Sequence, residues 1–368
     1  MTIYIVFLIF ILAIAFFYYY VKPKNEKNEL RFLNIVWIAM FLLCALRASS
    51  VGRDLPGYEL VYNYSFDCAW SDFDYIYFEN GYIFLMKVCS KALNMSFGQF
   101  LAFVTVIIMF PIYVYIRKYS SNYFLSTIIY VCYMFFEFNM TAVRQAIAAS
   151  IVLVAYMVYI SAKRYNAFYY TAIVIVAAQF HKAAWICLIF LAFMILRSLK
   201  SYILAVAFSV VALTFARGAI LNIIKDFFEK ESMNEDASFY FGLNSIFTLA
   251  LIVLFLVSYY NLARSNKFNS LSERDKFLVK RNNEINLKLF VLALPIIILF
   301  GADTAALSYM MFSQVMIAQL PNAISSWNEK DKAIMKTVFV VFFIIFFFTN
   351  TLLPNNFDIV PYYFFWQK

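Results

Sequence analysis

Long apolar stretches alternate along the chain with short polar turns, and every second turn is rich in Lys and Arg. The basic turns are Lys22/Lys24/Lys27/Arg31, Arg117/Lys118, Lys163/Arg164, Arg197/Lys200, the run from Arg264 to Lys288, and Lys330/Lys332/Lys336. Between successive basic turns there is room for two apolar crossings, each close to the roughly 20 residues that a helix needs to pass through hydrocarbon. Short cytoplasmic loops concentrate positive charge, so the pattern predicts a polytopic protein with these turns inside. Backbone groups in hydrocarbon have no water to bond, which makes the crossings helices. The runs predict about twelve: 2–21, 32–48, 97–116, 121–138, 145–162, 166–180, 183–197, 202–216, 243–260, 287–302, 305–324 and 336–352. Both termini then face outward. The first stretch is apolar from its start, has no basic leader and is followed by lysines, so it reads as a retained helix and not a cleaved signal.

Composition narrows this picture. With 64% hydrophobic, 14% charged and 21% aromatic residues, the chain is too apolar for a water-soluble core. The expected fold is all-α, a single integral membrane domain over residues 1–368. The net charge of +9 resides mainly in the inward turns, including a cytoplasmic basic loop at 261–287. It is an orientation signal, and nucleic acid is not an expected partner.

Two outward segments are long enough to carry function. The first, 49–97, opens with Val51-Gly52-Arg53-Asp54-Leu55-Pro56-Gly57-Tyr58, and its later part, Gly81 to Leu93, is apolar but short and interrupted by Lys87 and Lys91. That part is expected to be re-entrant or to lie on the surface. The second, 217–242, places Ile220, Ile223, Ile224, Phe227 and Phe228 at helical spacing with charges between them. This is an amphipathic helix, read as an interfacial anchor before a lid over a lipid-borne substrate.

Nucleotide and metal motifs are missing from the sequence: there is no Walker loop, GxSxG, GxGxxG or Cys/His ligand spacing. Asp72-Phe73-Asp74 matches a DxD, but three residues match too easily by chance. Cys44, Cys132 and Cys187 fall in apolar spans and read as packing residues. Cys68 and Cys89 share the outward, oxidising side, where free thiols are the simpler reading than a disulfide. The outer-loop tyrosines and Trp70 fit an interfacial belt better than a sugar-stacking surface.

Charged groups at membrane helix positions are costly, which makes each one a functional hypothesis. Arg144 sits at the outer mouth of the fifth span and His181, the one histidine of the chain, at the outer end of the sixth. Both lie at similar distances from the inward turn at Lys163/Arg164, so antiparallel helices bring them to similar depth. Lys182 adds a second cation, and Ala146, Ala148, Ala149, Ala177, Ala178, Ala183 and Ala184 allow close helix approach. A lone arginine also snorkels and a lone histidine also bonds a carbonyl. Arg53 and Asp54 on the same face favour a shared site. Guanidinium groups match the geometry of a diphosphate and stabilise its charge as it departs, while a histidine or carboxylate takes a hydroxyl proton. A lipid-diphosphate-linked sugar carries its own leaving group, so no nucleotide is required.

Arg144-Gln145-x-Ile147-Ala148 followed by Phe180-His181-Lys182-Ala183-Ala184 resembles the motif pair of EpsG-like, Wzy-type polysaccharide polymerases. Val51-Gly52-Arg53-Asp54 with Tyr58, and Phe78-Glu79-Asn80-Gly81-Tyr82, resemble that family's first outer loop. The resemblance covers residues 45–200 well and the rest through hydropathy. It implies a GT-C-like architecture and an enzyme of the bacterial inner membrane that joins O-antigen or exopolysaccharide repeat units on undecaprenyl pyrophosphate at the periplasmic face. A chain-length regulator and a flippase are the implied companions. Two positions differ from the family pattern. Ala183 stands where a serine is expected, and Asp303 to Pro321 shows Ala305, Ala306 and Leu307 in place of an arginine, leaving Arg217 or another cation to complete the phosphate contact.

The expected catalytic residues are Arg144, His181 as first choice of base, and Asp54 as second. Arg53, Gln145, Lys182, Arg217, Tyr58, Glu79 and Tyr82 are expected to bind substrate. No cofactor is expected, and assistance by a divalent cation is left open. The rival readings are a flippase or other transporter of lipid-linked oligosaccharide, a glycan ligase and a membrane acyltransferase.

Overall fold

The computed structural model describes residues 1–69, 78–161, 164–228, 243–262 and 273–367. Among them the chain is helical, and the one strand-like feature is an isolated antiparallel bridge between Arg47 and Phe364. The α-helices are α1 Thr2–Phe16, α2 Glu26–Ala45, α3 Leu55–Asp67, α4 Asn80–Lys87, α5 Phe97–Tyr119, α6 Tyr123–Cys132, α7 Phe135–Thr141 and α8 Val143–Ser161. Then follow α9 Asn166–Ala178, α10 Ile189–Met194, α11 Leu199–Phe228, α12 Leu243–Leu262, α13 Glu273–Val291, α14 Ala293–Ser313, α15 Met316–Ser325 and α16 Glu329–Phe346. Wide π-turns extend α1 to Val21, α4 to Ala92 and α16 to Leu352.

Five helical stretches are long and apolar enough to cross a membrane: Thr2–Val21, Glu26–Ala45, Phe97–Tyr119, Val143–Ser161 and Glu329–Leu352. The pair α6–α7, bent by 51°, makes a sixth if it is one span. All six coincide with expected crossings. Four more apolar helices, Asn166–Ala178, Lys182–Met194, Leu199–Leu213 and Ile246–Leu262, are shorter. This is an all-helical membrane protein. Exposed Val6, Ile9, Ile38, Val106, Phe110, Val338 and Val341 on the long helices are what lipid, and not water, would favour.

Contacts divide the chain into two compact units, one of Met1–Ile151, Gln179–His181 and Ala333–Lys368, the other of Val152–Ala178 and Lys182–Lys332. In the first unit, helix starts are fixed by short polar side chains. Asn25 caps α2 and Asn122 caps α6, each accepting from a backbone N–H at 2.9 Å, and Ser96 with Gln99 forms a capping box on α5. Trp37 of α2 stacks on Tyr130 of α6 at 5.1 Å, and the Tyr113 hydroxyl of α5 donates to Asn34 of α2 at 2.7 Å. The bend between α6 and α7 falls at Met134, whose φ of +63° is uncommon for an L-residue. Aromatic packing holds it: Tyr133 lies 5.0 Å from Phe346 and 5.7 Å from Phe135.

In the second unit a 3-10 turn, Lys182–Leu188, packs on α9, where the Tyr170 hydroxyl donates to the Cys187 carbonyl at 2.8 Å. Buried Lys288 pairs with Glu284 at 2.8 Å and donates to the Arg197 carbonyl at 3.1 Å.

Three expected boundaries differ. The amphipathic stretch beginning at 217 continues α11 to Phe228 without a break, and 229–242 lie outside the described residues. The basic loop is helical from Glu273, because its Glu, Lys, Arg and Leu are strong helix formers even where solvated. The division expected near 303–305 is absent: α14 runs on to Ser313, and the break comes at 314–315. Alanines carry a helix through a small polar patch. All five cysteines are free and buried.

Candidate functional site

The site in the first unit begins at the junction of α7 and α8. Ala142 leaves the helical path with ψ at 61°, and α8 restarts so that Arg144 stands in its first turn. Arg144 Nη1 donates to Glu79 Oε2 at 2.6 Å, and these side chains are 19% and 11% exposed. So little exposure makes the pair a desolvated one, whose guanidinium lies 4.2 Å over the Phe78 ring and 5.8 Å from the centre of Tyr58. The Arg144 charge therefore sits beside the Tyr58 phenol as well as over the Phe78 ring. Tyr58, Phe78 and Tyr82 pack mutually at 5.5 to 5.7 Å between ring centres. Burial raises the Tyr58 phenol above its usual range, which Arg144 partly offsets, and burial raises Tyr82 further. Both phenols are therefore neutral at physiological pH.

Glu79, Gly81 and the segment carrying His181 meet at the start of α4. The Gly81 N–H donates to the Gln179 carbonyl at 2.8 Å, and a Cβ at Gly81 would lie 2.7 Å from that same oxygen. Arg144 and the His181 segment are thus joined through one helical turn, Arg144 by its ion pair and the histidine by the backbone two residues before it. Sequence spacing anticipated a similar depth on adjacent helices; the intervening turn of α4 was not anticipated. His181 is half-buried.

Arg53 and Asp54 lie on the exposed turn before α3, Asp54 at its N-cap. This turn is held by the closing segment of the chain. Gly52 N–H donates to the Asp358 carbonyl at 2.9 Å and Arg53 N–H to the Phe357 carbonyl at 3.0 Å. The Arg53 Nε meets Asp358 Oδ2 at 3.2 Å. Thr141 Oγ1 donates to the Phe357 carbonyl at 3.0 Å, and Arg47, almost fully buried, donates from Nη2 to the Met140 carbonyl at 2.8 Å and from Nη1 to the Cys44 carbonyl. Arg47, Gly52 and the closing segment thereby converge on the Met140–Thr141 backbone, one turn before Arg144.

Gly52 has φ of +123°, and an added Cβ would stand 2.9 Å from the Met140 oxygen. Gly52→Ala is expected to cost about 1–3 kcal/mol from backbone strain alone. Thermal unfolding of the purified protein checks this, with a fall in melting temperature as the expected outcome.

Gln145 is buried, with its Nε2 lacking a hydrogen-bond partner. Lys182 belongs to the second unit, as does Arg217, whose side chain lies outside the described residues. Asp72-Phe73-Asp74 and Trp70 also lie outside them. Sequence reasoning missed Arg47, Asp358 and Glu137. Arg47 and Glu137 were open to the rule that charges in apolar segments are informative; Asp358, some three hundred residues from its partner, gave no local signal. Among the described residues no group of three His, Cys, Asp or Glu side chains is placed to hold a metal ion.

The model of the EpsG family matches residues 30–364. The chain belongs to the EpsG family. That match embraces every element of the site, from α2 through the closing segment with Asp358, and so extends well past the stretch in which short motifs were legible. No curated protein and no solved structure matches the chain. Membership in the EpsG family fits a polymerase-type role in polysaccharide biosynthesis.

Proposed function

We propose that this EpsG-family protein is a glycosyltransferase that polymerises lipid-diphosphate-linked repeat units, undecaprenyl pyrophosphate being the carrier, at the periplasmic face of the bacterial inner membrane. The observation that carries the reading is the outer-loop cluster: Arg144 anchored by Glu79, Tyr58 and Phe78, with Arg53 on the neighbouring turn. In this reading the shorter apolar helices cross together with the long ones, giving a GT-C-like bundle, and a flippase and a chain-length regulator act beside it.

The acceptor hydroxyl oxygen attacks the anomeric carbon of the growing chain. The bond from that carbon to the diphosphate oxygen breaks, its electron pair staying with the diphosphate, and the hydroxyl proton passes to a base. Arg53 and Arg144 supply positive charge to the departing diphosphate. Tyr58 and Tyr82, neutral phenols, shape the sugar side with Gln145 and Glu79. His181 is the first choice of base and Asp54 the second.

His181→Ala, made at unchanged protein level in a producing strain, is expected to reduce lengthening about 10²–10⁴-fold, the usual contribution of a general base. The measurement is the size distribution of surface glycan. Accumulation of single-unit products supports the reading, and a normal ladder contradicts the role of His181.

One observation favours transport. The broken helix α6–α7 carries Glu137, fully buried with neither carboxylate oxygen hydrogen-bonded among the described residues, and interrupted membrane helices with buried acids are typical of transporters. Reconstitution with lipid-linked repeats separates the two: longer glycan marks an enzyme, and translocation alone a flippase.

A further inference from the structure

The two arginines of the outer site are in opposite situations. Arg144 is committed to Glu79 and packed against Phe78 and Tyr58. Arg53 is 59% exposed and meets one acceptor only, through Nε, among the described residues; Asp358, its partner, is 56% exposed. Its two Nη groups hold no hydrogen bond there. The Asp358 side chain is carried by a backbone that is otherwise fixed. Its carbonyl accepts from Gly52, its N–H donates to the Asn355 carbonyl at 3.0 Å, and the preceding carbonyl accepts from Arg53 N–H and Thr141 Oγ1. The carboxylate can therefore rotate away without unfastening the segment.

We propose that Asp358 is the resident counter-ion of Arg53 and a specificity-determining residue, surrendering the guanidinium to an incoming diphosphate. This rests on the reading of the site as one for a lipid-diphosphate substrate. An exposed, single-point ion pair contributes little and is exchanged readily. Replacing a carboxylate by another monoanion gains almost nothing. A diphosphate spans two N–H groups of the planar fork at once and brings more charge, so the exchange is favourable for it. Asp358 thus rejects weak anions and admits the diphosphate head group.

The test uses the full chain purified in detergent and inorganic pyrophosphate and phosphate as probes, measured by equilibrium binding and as inhibitors of glycan lengthening. Asp358→Asn suits the site, because φ there is +50° and Asn tolerates that region. It is expected to tighten pyrophosphate binding about two- to fivefold, the effect of losing one competing exposed ion pair. Phosphate binding should tighten by a similar factor, so that an anion too weak to displace the carboxylate in the natural protein becomes a measurable ligand. Arg53→Gln is expected to weaken pyrophosphate at least about tenfold and to erase the effect of Asp358→Asn in the double variant. Unchanged or weaker pyrophosphate binding in Asp358→Asn, or an undiminished effect in the Arg53→Gln background, overturns the proposal. Tighter binding in a protein that lengthens no glycan sustains the counter-ion role and overturns the polymerase reading instead. Lengthening by the natural protein with no response to Asp358→Asn does the reverse. If Asp358→Asn does not fold, Arg53→Gln alone decides: pyrophosphate inhibition as strong as in the natural protein removes the seat itself.

Discussion

Arg144→Ala is expected to stop chain lengthening and to destabilise the protein at once. The two effects have separate causes. Removing the guanidinium takes from Glu79, 11% exposed, the ion-pair partner at 2.6 Å. Breaking a mostly buried pair by removing one partner costs about 3–5 kcal/mol. The functional loss comes from charge: a positioned donor at a departing oxyanion is worth about 10²–10³ in rate. Two further variants separate the causes. Arg144→Lys retains the charge but loses the planar fork that both stacks on Phe78 and bonds Glu79, so it should recover part of the stability and little of the lengthening. Pairing Arg144→Gln with Glu79→Gln removes both charges, so stability should rise relative to Arg144→Ala while lengthening stays absent. The measurements are thermal unfolding in detergent and glycan size in a producing strain. Full lengthening in Arg144→Ala would leave Arg144 a structural residue only.

Gly81→Ala is expected to uncouple the two halves of the motif pair. A Cβ at this position would lie 2.7 Å from both the Cβ and the carbonyl oxygen of Gln179, and 3.0 Å from its carbonyl carbon. Two of the three obstructing atoms are backbone, so no side-chain rotation relieves the clash. Overpacking of this kind costs about 1–3 kcal/mol, and relief requires the start of α4 to move away. That movement breaks the hydrogen bond from Gly81 to Gln179 and carries Glu79 away from Arg144. Lengthening should therefore fall by much more than stability alone explains. Gly57→Ala is the comparison, since nothing lies within 4 Å of a Cβ there. Equal, small losses at both glycines would show that the close approach of α4 to Gln179 does not matter.

Much of the fold was legible because hydrocarbon imposes a single rule on the chain. The five long apolar helices and the bent pair fall where apolar runs and basic turns put them. What the pattern concealed were features set by small residues and by distant contacts. Alanines around 302–306 carry α14 through a stretch that reads as a turn. Met134 breaks a helix with no Gly or Pro to announce it. At the site, Arg144 and Glu79 were both recognisable by type, yet their pairing was not, because 65 residues and an outer loop separate them. Arg53 was recognisable and its partner Asp358 was not, for the same reason at greater range. Arg47 was open to recognition as a charge at the end of an apolar run, but its burial against the Met140 carbonyl is a tertiary fact.

The most direct measurement is reconstitution of the purified natural protein in vesicles, with lipid-diphosphate-linked repeat units as the sole added substrate and the lipid-linked glycan sized afterwards. A ladder of lengthened products that disappears with Arg144→Ala is the result this account requires. Substrate that crosses the bilayer but stays one unit long, with the natural protein present and folded, would contradict it.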